Sequence, residues 1–176
     1  MLLDELATFK RAGMASKCFV ISSDLDALRE AEELGANGIP EHRDMGVNSA
    51  VSYGRDQLGD KDEFMIVPAD LPLVRTQEIA AALSLGELFD CVISPSRSFN
   101  GTNLLIFSRR KAVGLSYDSN SFWNHIKEIA KRGLSLAVYT GAGVLFDVDT
   151  VDDLRELARA PINRRSVQFA ERALAR

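Results

Sequence analysis

Apolar and polar positions fall in blocks along the chain, and the period of each block predicts an element. Residues 1–10 (MLLDELATFK) set Leu2, Leu3, Leu6 and Phe9 on one face at helical spacing. Gly13 closes that helix, and 17–22 (KCFVIS) is a continuous apolar run of strand type. Asp24 caps a second helix over 25–34, ended by Gly35. A short strand near 38–40 leads to a third helix over 47–58. The clearest buried strand is 64–67 (FMIV), stopped by Pro68. A helix over 76–83, a strand over 89–94, a Ser/Asn/Gly loop over 95–101 and a strand over 104–108 follow. Ser121 caps a helix to 131, and 134–139 reads as a further strand. Thr150 and Asp153 have capping-box spacing for another amphipathic helix.

Strands thus alternate with helices, the pattern of a three-layer α/β fold with a mainly parallel sheet. The FMIV strand is expected at its centre, with Asp70 at the carboxyl end. Residues 1–160 read as one domain, and 161–176 as a basic helix or tail packed on it or on a partner.

Composition narrows the classes. The 176 residues are enough for one good core, 46% of them hydrophobic and 26% charged, with a net charge of −4. That balance argues against a nucleic-acid or anionic-membrane binder. No apolar run reaches the ~18 residues of a spanning helix. The acidic start lacks the positive n-region of a signal peptide, so a cytoplasmic protein is expected. Cys18 and Cys91 lie in apolar runs and read as buried thiols, not as a disulfide or a zinc site.

Ligands of open α/β sheets bind beyond the carboxyl ends of the strands. Three carboxylates stand there: Asp70 in VPADLPLV, and Asp147 and Asp149 in VLFDVDTVDDL. In an extended segment, residues i and i+2 share a face, so Asp147 and Asp149 can address one site. Hard cations such as Mg²⁺ take carboxylates of this kind with phosphate oxygens. Spacing alone leaves open that Asp149 only begins a helix and that Asp70 only opens a turn. Thr102 and Asn103 bring hydrogen-bonding side chains to a strand entrance. Ser121 stands at a helix start, where free N–H groups suit an anion, though its position by itself favours a plain N-cap over a ligand contact. His125 either faces an anion or fills surface. Arg97 is the best placed of the candidate cations Arg43, Arg55, Arg75 and Arg97. Asn48, in GVNSAVSYG, is a base- or ribose-reading amide or a helix-start residue.

Together VPADLPLV, GTNLLIFS, SFWNH and FDVDTVDDL resemble the CofC family, guanylyltransferases acting on 2-phospho-L-lactate or phosphoenolpyruvate in coenzyme F-420 biosynthesis. The resemblance runs to about Pro161 and implies a nucleotide-diphospho-sugar-transferase-like fold. PADLPL and DVDT are shared with molybdenum-cofactor guanylyltransferases, whereas GTN and SFxxH are the family-specific signal. The resemblance implies that Asp70, Asp147 and Asp149 hold Mg²⁺ and are catalytic. It places Thr102, Asp118 and Ser121 at the acid substrate, with the opening N–H groups of the helix beside them. It puts Asn48, Pro68 and Ala69 at the nucleotide. GTP and a small phosphorylated acid are the implied partners, and a homo-oligomer is compatible with the family.

Two departures stand out. Asp118 occupies a position where the family usually has glycine. The family also opens with a strand and a phosphate-holding loop, whereas this sequence opens on the helix that follows. The expectation drawn from that is weak GTP binding and slow turnover by residues 1–176 alone, with an upstream start as the favoured explanation. The competing readings are a molybdopterin or sugar-phosphate nucleotidyltransferase, against which GTN and SFxxH count, and a non-catalytic binding relative.

Overall fold

The computed structural model describes residues 1–44, 46–59, 63–108, 110 and 113–175. Helix α1 (Leu2–Arg11) and a single 3-10 turn at Ala15–Lys17 precede strand β1 (Phe19–Ser22). Then come α2 (Leu25–Glu33), β2 (Asn37–Pro40), α3 (Val47–Gln57), β3 (Glu63–Ile66) and α4 (Thr76–Gly86). The second half holds β4 (Cys91–Pro95), β5 (Thr102–Ser108), α5 (Ser121–Lys131), β6 (Leu136–Val138), α6 (Val151–Ala158) and α7 (Arg165–Leu174). Two of the caps read from the sequence, at Asp24 and Thr150, form as expected. Asp24 accepts from the Asp26 and Ala27 N–H groups, and Thr150 and Asp153 close a reciprocal capping box.

β1 and β2 pair in parallel, and a four-stranded sheet runs in the order β3-β5-β4-β6. One face of that sheet packs Val92, Leu104 and Ile106 against Phe9 of α1 and Ile79 and Ala82 of α4. The other packs Phe64, Cys91, Ile93, Leu105 and Phe107 against Phe122 and Ile129 of α5. The three-layer α/β architecture is therefore as the alternation of elements predicts. Among the described residues no helix is long and apolar enough to cross a membrane.

The sheet differs from the expectation in one respect. It is mixed: β4 and β6 are parallel, but β5 runs antiparallel to both β3 and β4. Only residues 96–101 join β4 to β5, too few for the crossover of a dozen or more residues that parallel neighbours need. β5 therefore turns back as a hairpin and inserts beside β4. This leaves the FMIV strand at the edge of the described sheet, paired with β5 alone, not at its centre. Its unbroken apolar run has a different cause. Phe64 and Ile66 pack into one core and Met65 and Val67 into the other, so both faces are covered. The reversal also has a functional consequence: the amino end of β5 lies on the same sheet edge as the carboxyl ends of β3, β4 and β6.

The basic tail is a helix docked on the body. Val167 and Ala170 of α7 are buried with Leu157 of α6. Asp4 of α1 caps α7 from outside: its carboxylate accepts from the Arg165 and Ser166 N–H groups and from the Ser166 hydroxyl. Asp4→Ala removes the side-chain acceptor of the first N–H groups of α7. The expected loss is about 2–3 kcal/mol, measured by urea denaturation, with Asp4→Asn retaining part of it.

Candidate active site

Two groups of polar side chains meet at the amino end of β5, and a β-bulge separates them. The register steps from Ser94↔Leu104 to Pro95↔Thr102, leaving Asn103 as the extra residue. In an unbroken strand Thr102 would share the face of Leu104 and Ile106, the α1/α4 side. The bulge reverses this. Thr102 reaches His125 on α5, 3.0 Å away, while Asn103 turns to the opposite face and donates to the Val144 carbonyl at 2.9 Å.

On the α1/α4 side, two loops come together. The Val148 N–H donates to the Asp70 carbonyl at 3.2 Å, so the segment carrying Asp147 and Asp149 is stitched directly to the loop after β3. Asp70 is pushed up to about 6, by burial first and then by the negative charges of Asp149 and Asp147. Asp147 is raised as well, by burial first and then by the charges of Asp149 and Asp153, and the Asn103 amide partly offsets this. Asp70 Oδ1 is buried without a hydrogen-bond partner among the described residues. Mutual repulsion and an orphaned buried oxygen make a donor set suited to a hard cation. Among the described residues no three His, Cys, Asp or Glu side chains are drawn together tightly enough to hold a metal as they stand.

This side is supported by buried acidic side chains. Glu5 of α1, 4% exposed, accepts from the Leu71 N–H at 2.7 Å and so fixes the residue after Asp70. Burial pushes Glu5 up to about 8. Glu78 of α4 accepts from the Gly143 N–H at 2.8 Å and the Arg75 N–H at 2.9 Å, which anchors the turn leading to Asp147. Pro68 and Ala69 lie in the same loop as Asp70, directly after β3.

On the α5 side the clustered polar groups are hydroxyls and a histidine. Ser121 is the first residue of α5, not its cap: Asn120 takes that position in the left-handed conformation, φ 61°. The Ser121 hydroxyl, relieved of capping, donates to Thr102 Oγ1 at 3.1 Å. The Phe122 N–H, expected to be free for an anion, is taken by the Asn100 carbonyl. The hydroxyls rather than that amide are therefore the polar groups this side presents. Tyr117 lies edge-on to His125, ring centroids 5.0 Å apart, and its hydroxyl is the other buried polar atom without a partner among the described residues.

The remaining sequence candidates divide. Asn48 accepts from the Tyr117 N–H at 2.7 Å and donates to Asp118 at 3.0 Å, so its amide clasps the loop before α5. Asp118 is exposed on that loop. Arg97 is committed elsewhere: it pairs with Asp153 and Glu156 of α6 and lies over the Phe146 ring, 4.6 Å from its centroid. Glu5 went unread in the sequence because an acidic residue on an amphipathic helix reads as solvent-facing. Asn103 was in view, but its role depends on the bulge.

Comparison with known proteins gives a consistent answer. The family model described as "Guanylyl transferase CofC like" matches residues 1–171. The chain is 34% identical over 158 residues to the 2-phospho-L-lactate guanylyltransferase of Methanocaldococcus vulcanius, covering 89% of this chain and 71% of that one. It is 32% identical over 160 residues to the phosphoenolpyruvate guanylyltransferase of Rubrobacter xylanophilus, covering 89% and 77%. Among solved structures, a nucleotide-diphospho-sugar transferase from Desulfovibrio desulfuricans superposes with a TM-score of 0.69 at 15% identity, covering 99% of this chain and 83% of that one. The last likeness concerns the fold alone.

Proposed function

The chain belongs to the CofC-like guanylyl transferase family, and from that premise we propose that it transfers GMP from GTP to the phosphate of a small phosphorylated three-carbon acid. A phosphate oxygen of the acid attacks the α-phosphorus, the new P–O–P bond forms, and pyrophosphate leaves as the α–β bond breaks. The nucleophile needs no general base, since a phosphate monoester is largely doubly ionised at neutral pH. This fits the neutral character of the Thr102, Ser121 and His125 cluster.

The observation that carries the reading is the division of labour at the bulge. One side offers three carboxylates and an orphaned buried oxygen, the other a buried pair of hydroxyls on a neutral histidine. Asp70, Asp147 and Asp149 would hold Mg²⁺, whose charge would offset the phosphates of the two anionic substrates. Thr102 orients the acid by donating its hydroxyl hydrogen to the carboxylate, Ser121 holds that hydroxyl in place, and the bulge sets the pair one residue from Asn103 and the carboxylates. Asn48, clasped to the 117–118 backbone and side chain, couples the nucleotide side of the site to the acid side. Asp118 borders the acid pocket, and Pro68 and Ala69 approach the nucleotide.

Thr102→Val keeps shape and removes the hydroxyl. KM for the acid should rise about tenfold or more, the loss of one hydrogen bond to a charged group, while KM for GTP stays within about twofold. Steady-state kinetics with each substrate varied separately reads this. Equal rises for both substrates would count against a dedicated acid pocket.

A further inference from the structure

The direction of every hydrogen bond around His125 is fixed by one backbone amide. The Ser116 N–H can only donate, and it points at His125 Nε2, 3.0 Å away. Nε2 must therefore be the unprotonated, accepting nitrogen, which places the ring proton on Nδ1. Nδ1 faces Thr102 Oγ1 at 3.0 Å and so donates to it. Thr102 Oγ1 accepts from the Ser121 hydroxyl as well. Both lone pairs of Thr102 are then filled, and its own hydroxyl hydrogen is what Thr102 has left to give.

On the reading that Thr102, held by Ser121, receives the acid, we infer that His125 is the positioning residue that makes Thr102 an obligate donor. The pocket then presents a hydrogen to an anionic oxygen and has no Thr102 acceptor to offer a hydroxyl or amide in its place. His125 is well placed for this role. It is fully buried, held between Ser116 and Thr102, with the Tyr117 ring against it. Burial also holds its pKa down to about 4, so the ring stays neutral throughout the range in which the enzyme would work. A protonated ring would set a second N–H against that of Ser116 and lose this arrangement.

Two measurements test the inference, and one of them does not use activity. The chain has two histidines, so long-range ¹H–¹⁵N correlation spectra assign His125 as the ring whose signals vanish in His125→Asn. The expected spectrum shows protonated Nδ1 and unprotonated Nε2 at neutral pH, and protonation at Nε2 would overturn the inference. In kinetics, His125→Asn places an amide donor near Nδ1, whereas His125→Gln places its amide near Nε2. KM for the acid should rise about tenfold in His125→Gln, stay within about threefold in His125→Asn, and KM for GTP should not move in either. Equal effects of the two variants, or equal shifts for both substrates, would reduce His125 to a packing role. Thr102→Val run beside them separates the two levels of the argument. If it spares the acid, the pocket reading fails. If it weakens the acid while His125→Gln does not, only the role of His125 fails.

Discussion

Asp70→Asn is expected to slow nucleotidyl transfer by about 10³-fold while making the metal-free protein more stable at neutral pH. The two effects have one source. Asp70 is half-buried beside Asp147 and Asp149, and its pKa is pushed up to about 6 by burial and by those two charges. A carboxyl whose pKa is higher in the folded than in the unfolded chain costs stability once it ionises. The cost is absent near pH 4, grows as pH rises toward 6, and is fully present above that. Asparagine removes it. The gain at pH 7.5 should be about 2 kcal/mol, the two-unit shift discounted for partial solvent access. Urea denaturation of both proteins at pH 4 and pH 7.5, with and without Mg²⁺, checks this. Mg²⁺ should stabilise the natural chain and not the variant, by ordinary binding linkage. A variant that is less stable at pH 7.5, or equally protected by Mg²⁺, would contradict the assignment.

The largest loss of stability is expected from Gly143→Ala. An added Cβ would stand 2.8 Å from the Leu73 carbonyl carbon, and closer still to the Leu73 oxygen and to Glu78 Oε2. The Leu73 atoms are backbone and cannot rotate aside. Moving the turn instead breaks the Gly143 N–H bond to Glu78, leaving a buried carboxylate short of a donor. The two costs together should reach about 3–5 kcal/mol. Because this turn leads directly into Asp147 and Asp149, activity should fall even where the variant folds. Gly114→Ala is the control: its nearest neighbour would be 3.6 Å away, and the change should stay within about 0.5 kcal/mol. Thermal unfolding of the pair checks it, and similar midpoints would contradict the argument.

What could be read in the sequence was local chemistry. Asp24 and Thr150 announce their helices because a side-chain acceptor at a helix start is a short-range device. The carboxylates of Asp70, Asp147 and Asp149 follow from a rule about strand ends, and the Val148–Asp70 hydrogen bond shows that their two loops do meet. What could not be read needed a partner elsewhere. The unbroken run FMIV reports two covered faces, which a strand flanked by helices has whether or not it has neighbours on both edges. The six residues between β4 and β5 were the missed sign that β5 turns back. The direction of Thr102 was hidden more deeply, since simple alternation assigns it to the wrong face and only the bulge corrects it. Arg97 looked like a substrate cation from its Ser-rich loop, but α6 supplies it with two carboxylates from more than fifty residues away.

The most direct measurement is product identification under single-turnover conditions, with enzyme in excess so that even slow chemistry is seen. The protein is mixed with Mg²⁺ and GTP and, in separate reactions, 2-phospho-L-lactate, phosphoenolpyruvate, 3-phosphoglycerate or a sugar 1-phosphate, and the products are read by mass spectrometry. A GMP–acid conjugate joined through a diphosphate, with one pyrophosphate per conjugate, is the predicted result for at least one of the three acids. A conjugate with the sugar phosphate alone, or pyrophosphate released without any conjugate, would contradict it.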